Sequence, residues 1–69
     1  MPDPRLASRL KEARQTAGLT QAELAEKAGV SRKTINTVEN GVFIPSTILA
    51  LSLARALGVT VEELFWLAD

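Results

Sequence analysis

Apolar side chains recur at three- and four-residue intervals along this 69-residue chain, and the recurrence is interrupted at Gly18, Gly29, Gly41 and Gly58. That spacing gathers them on one face of each of several successive helices. Leu6, Leu10, Ala13 and Ala17 line the first, with Asp3 as N-cap, Pro4 as first helical residue and Gly18 as terminator. Its outer face holds Arg5, Ser8, Arg9, Lys11 and Glu12. Thr20 and Glu23 form a capping box for a second helix that begins at Gln21, buries Leu24, Ala25 and Ala28, and stops at Gly29. Val30 then turns the chain inward, Ser31 caps a third helix, and Ile35 and Val38 anchor it before Gly41. Ile44 precedes Pro45 and is pushed to extended geometry, so Val42–Ile44 reads as a loop. Ser46 caps a fourth helix over roughly residues 47–57, with Ala50, Leu53, Ala54 and Leu57 inward. Thr60 and Glu63 make a second capping box, opening a short fifth helix through about Leu67. No strand signal and no internal repeat is present. The expectation is a single all-α domain of five helices over residues 1–69.

Some apolar residues have no place in that core. Ile48 and Leu51, with Ser52 and Arg55, fall on the face of the fourth helix opposite the buried one. At the last helix, Leu64 with Val61 or Phe65 fills the interior, leaving Trp66 and Leu67 outside. Isolated surface hydrophobes are ordinary. A contiguous apolar area usually marks an interface, however, and Trp is enriched at binding hot spots. Ile48, Leu51, Arg55, Trp66 and Leu67 are therefore read as a homodimer interface.

Composition narrows the chemistry. Cysteine and histidine are both absent, which removes disulfides and the usual zinc ligands and suits a reducing cytoplasm. No apolar run approaches the length of a membrane span and no signal-peptide pattern appears. An enzyme is not expected, because the serines lack a base and the acids are accounted for by caps and helix surface. No cofactor or metal is expected, and the chain is too small for an ordinary effector pocket. The formal net charge is zero, yet residues 1–33 carry seven of the eight basic side chains against four acids. One end of the molecule can therefore face phosphates while the other is mildly acidic.

The second and third helices, joined across a tight Gly-containing turn within residues 20–41, form a helix-turn-helix. The outer face of the third carries Arg32, Lys33, Asn36, Thr37 and Asn40. Two cations at a helix start oppose the macrodipole, a local cost with no stabilising rationale and so a mark of function.

The segment TQAELAEKAGVSRKTINTVENG resembles the helix-turn-helix of the phage-repressor, Cro and XRE-type family of bacterial transcriptional regulators. Pro45-Ser46 and ALGVTVEELF extend the likeness over nearly the whole chain, and the minimal, single-domain members are most similar. The resemblance implies a lambda-repressor-like fold and a cytoplasmic homodimer, a repressor in the simplest case. Its third helix, residues 32–40, would enter the major groove of double-stranded DNA at a pseudo-palindromic operator. By the same resemblance Arg32, Lys33 and Thr37 match base-reading places, with Asn36 a further possibility, and Arg32 or Lys33 would pair with guanine. Gln21, Ser31, Thr34 and Asn40 match phosphate-contacting places, and Arg14 and Glu39 match a structural ion pair between the first and third helices. The loop Val42-Phe43-Ile44 departs from the family pattern, which often has basic residues there; Phe43 is read by default as core cover. A rival reading keeps the scaffold but makes the chain an antitoxin-like or adaptor module that binds protein. Apolar anchors would then be expected at the tip of the third helix, where this chain is polar.

Overall fold

The computed structural model describes residues 5–68. Its elements are β1 (Leu6–Ser8), α1 (Leu10–Thr16), α2 (Gln21–Ala28), α3 (Arg32–Glu39), α4 (Thr47–Leu57), α5 (Val61–Leu64) and β2 (Phe65–Leu67). The fold is helical, with one small two-stranded ribbon added, and no helix among the described residues is long and apolar enough to cross a membrane.

Local chemistry sets most of the helix boundaries. The Thr20 hydroxyl accepts from the Glu23 N–H while the Glu23 carboxylate accepts from the Thr20 N–H at 2.8 Å, which completes the capping box of α2. Those bonds, together with Lys27, hold the Glu23 carboxyl below its ordinary range. Ser31, Ser46 and Thr60 cap α3, α4 and α5 in the same manner, each hydroxyl accepting an N–H three residues on. At the end of α2, Gly29 adopts φ 73°, a left-handed conformation that lets Val30 N–H reach the Ala25 carbonyl at 2.9 Å. The chain thereby reverses within three residues and launches α3.

Each helix contributes one fully buried side chain to a common centre: Leu10, Leu24, Ile35, Leu53 and Leu64 are all at 0% exposure. Ala25, Val38, Leu49, Ala54 and Phe65 complete the cluster. Ala50 and Leu57 are only partly buried, and Leu49, absent from the sequence-derived core of α4, takes a buried place instead.

The two chain ends differ from expectation. The first helix begins at Leu10 rather than near Pro4, and Asp3 and Pro4 lie outside the described residues. Residues 6–8 are a strand, paired antiparallel with residues 65–67 in the register Leu6 to Leu67, Ala7 to Trp66 and Ser8 to Phe65. Accordingly α5 closes at Leu64 instead of reaching Leu67. Arg9 N–H donates to the Leu64 carbonyl at 2.9 Å, so the ribbon is tied to the helical body. A cross-strand ladder between the two ends of the chain satisfies these backbone groups, and the aromatic pair Phe65-Trp66 suits extended geometry. Leu6 still meets the core from a strand, so its spacing to Leu10 mimicked a helical repeat. Ser8 Oγ accepts from Leu10 N–H at 3.2 Å, while the N-cap residue of α1, Arg9, makes no side-chain capping bond of the kind expected of Asp3.

Candidate nucleic-acid interface

Ile35 and Val38 press α3 onto the core, which turns Arg32, Lys33 and Asn36 to solvent and leaves Thr34 and Thr37 half-buried. Neither Arg32 nor Lys33 enters an ion pair or side-chain hydrogen bond among the described residues. Both cations are thus available to a ligand at the exposed end of α3. Thr37 is differently engaged: its hydroxyl donates to the Thr34 carbonyl at 3.0 Å, so outward it offers an acceptor and a methyl group. Ser31 and Thr34 share a hydrogen bond between hydroxyls at 2.9 Å beside the helix start. A shallow depression of about 290 Å³ lies next to this row, lined by Lys33, Thr34, Thr37, Val42 and Phe43. Phe43 is 46% exposed and is therefore at most a partial cover for the core.

Behind α3 lies a polar network built on the Arg14–Glu39 pair that the resemblance implied, extended through Gln21 to Asn36 and Asn40 in a way the sequence did not reveal. Arg14 donates from Nε to Glu39 Oε2 at 2.6 Å, from Nη2 to Glu39 Oε1 at 3.3 Å, and from Nη1 to the Leu19 carbonyl at 2.8 Å. The Glu39 side chain is 2% exposed and that of Arg14 11%, so this is a two-pronged, largely desolvated pair joining α1 to α3. Gln21, at the start of α2, donates its amide to Glu39 Oε1 at 3.1 Å and to Asn36 Oδ1 at 3.2 Å. Asn40 donates to the same Asn36 oxygen at 3.3 Å. Gln21, Asn36 and Asn40 therefore form one cluster anchored on the Arg14–Glu39 pair. Both Gln21 amide protons point inward; what α2 offers outward at that position is the backbone N–H of its first turn. The eighteen-residue separation of Gln21 and Glu39 leaves no periodic trace in the sequence.

The model of the helix-turn-helix family matches residues 10–64, from the start of α1 to the end of α5. This chain belongs to the XRE-type helix-turn-helix family of transcriptional regulators. An uncharacterised HTH-type transcriptional regulator of Methanothermobacter thermautotrophicus is 51% identical over 61 residues, covering 87% of this chain and 88% of that one. Among solved structures, the restriction-modification controller protein C.AhdI of Aeromonas hydrophila superposes with a TM-score of 0.77 at 38% identity, over 80% of this chain and 83% of the other. SinR, the master regulator of biofilm formation, in its complex with DNA, gives a TM-score of 0.74 at 33% identity, covering 78% and 87%.

The residues read as a dimer interface separate into two groups. Ile48 and Leu51 on α4 are 78% and 56% exposed, with Arg55 one turn beyond Leu51. Leu6, Ile44, Ala50, Leu51 and Phe65 help to line an open apolar groove of about 420 Å³ on that side. Phe65 and Leu67 share one face of β2, and Trp66 projects from the other. There the Arg9 guanidinium lies over its ring, 5.1 Å from the centroid. Leu67 can extend the α4 surface, whereas Trp66 faces away from it.

Proposed function

We propose that this regulator binds double-stranded DNA sequence-specifically as a homodimer and represses transcription by occupying a pseudo-palindromic operator. One observation carries the reading: the two unpaired cations Arg32 and Lys33 stand with Asn36 on the outer face of α3, while Ile35 and Val38 fix its inner face. In the major groove Arg32 or Lys33 would donate to guanine O6 and N7, and Asn36 and Thr37 would touch neighbouring base edges. The first-turn N–H groups of α2 at Gln21, with Ser31, Thr34 and the remaining amide proton of Asn40, would contact phosphates and set the register. Ile48, Leu51 and Leu67, with Arg55 at the rim, would join two copies, so that two α3 helices meet half-sites about 34 Å apart. The zero net charge implies modest non-specific affinity.

The test is selection of bound duplexes from a random pool, followed by a salt titration on the enriched site. A symmetric consensus whose affinity falls steeply with salt is expected. Failure to enrich any sequence would favour the protein-interaction module instead.

A further inference from the structure

The network behind α3 has a direction. Glu39, held by Arg14, presents a carboxylate that only accepts, so the neighbouring Gln21 must turn its amide nitrogen toward it. The second proton on that nitrogen goes to Asn36 Oδ1, and Asn40 supplies another donor to the same oxygen. A carbonyl oxygen has two lone pairs, and both are then engaged. Asn36 is left with its own amide N–H groups to offer to solvent, where the side chain is exposed. Asparagine pairs with adenine by donating to N7 and accepting from N6; with its oxygen occupied, it cannot make the second bond. Guanine is the base whose major-groove edge carries two adjacent acceptors, N7 and O6, and no donor.

We infer that Gln21 is a positioning residue for base recognition, locking Asn36 as a donor-only reader that selects guanine over adenine at one base pair of each half-site. The inference rests on the DNA-binding reading above and adds a specificity that the residue type alone does not imply, because a free asparagine favours adenine. Two donors fix the Asn36 oxygen, so the polarity originates at a buried ion pair and is delivered to the surface through Gln21.

The experiment compares sites selected from a random duplex pool by the full chain, by N36A, and by the double variant Q21L N40A. The pair at which N36A loses its preference is the one Asn36 reads. Wild-type protein should hold guanine there, roughly ten-fold over adenine. In Q21L N40A the oxygen is released; overall affinity should fall with the Asn40 phosphate contact, uniformly across sequences, but the guanine-to-adenine ratio at that pair should fall to about parity or invert. Circular dichroism establishes that the variants are folded. Replacing guanine by 7-deazaguanine on wild-type protein needs no variant and should weaken binding several-fold at that pair. If the double variant does not fold, this substitution and the wild-type preference decide together. Enrichment of any other base at the pair, no pair altered in N36A, an unchanged ratio in folded Q21L N40A, or indifference to 7-deazaguanine overturns the inference. Those outcomes differ from failure of the DNA-binding reading itself, in which wild-type protein enriches nothing.

Discussion

Arg14 and Glu39 meet at 2.6 Å across 25 residues of sequence, with the carboxylate side chain 2% exposed and the guanidinium nearly as deep. Breaking such a pair from one side strands a charge in the interior. Arg14→Met should cost about 3–5 kcal/mol. At roughly 4–8 °C per kcal/mol for a domain of this size, the thermal midpoint should fall by more than about 10 °C. Adding Glu39→Leu should recover much of the loss, because the unpaired charge is then gone. Calorimetry on the two variants decides, and a parental midpoint for Arg14→Met would show the pair to be worth nothing.

Leu53 and Leu51 lie on the same helix with opposite surroundings, 0% and 56% exposed. Leu53→Ala should destabilise the fold by about 2–5 kcal/mol through the cavity it leaves. Leu51→Ser should leave the melting of the monomer nearly unchanged while weakening self-association, read by sedimentation across a dilution series. Equal association in parent and variant would remove α4 from the proposed dimer interface.

Trp66→Ala probes the other side of the ribbon. Its loss removes the stacked Arg9 and should lower stability by about 0.5–1 kcal/mol, as for an exposed cation–π contact. The proposed dimer should persist, since the ring projects away from Leu51. Dissociation of the Trp66→Ala dimer would mean that copies meet through the ribbon.

Gly29 has open space where a Cβ would stand, so only backbone conformation opposes substitution. Gly29→Ala should therefore cost about 1–2 kcal/mol, the penalty for a left-handed residue with a side chain. Chemical denaturation measures it, and a neutral substitution would mean the turn relaxes freely.

The capping box makes a pH-dependent contribution. The Glu23 carboxyl is held below its ordinary range, chiefly by the Thr20 N–H and hydroxyl. Its folded form therefore binds protons less readily than its unfolded form. The resulting stabilisation is present above the ordinary carboxylate range and is lost as pH falls through the folded value. Glu23→Gln should melt below the parent at neutral pH, with the gap closing in acid. A gap independent of pH would point to lost hydrogen bonding rather than lost charge.

Caps and terminators account for how much of the fold was legible in the sequence. Thr20 with Glu23, Ser31, Ser46 and Gly29 act on neighbours within a few residues, so their effect is written locally. The ribbon depends on residues 6–8 finding residues 65–67, and its only local hint was the aromatic pair at the far end. Leu6 suited a helical face and a strand equally well. At the candidate site, the exposed row on α3 followed from its spacing against Ile35 and Val38. The Gln21–Asn36 bond did not, because it joins different helices and depends on which end of an amide faces a carboxylate.

Five helices each drive one wholly enclosed side chain into the same centre. A helix that swings out therefore withdraws a buried side chain from a cluster that the others share. Amide protons throughout α1 to α5 should consequently exchange in a single slow class, with no ladder of separately opening segments. On the proposed dimeric reading, operator occupancy would then follow the protein's concentration alone.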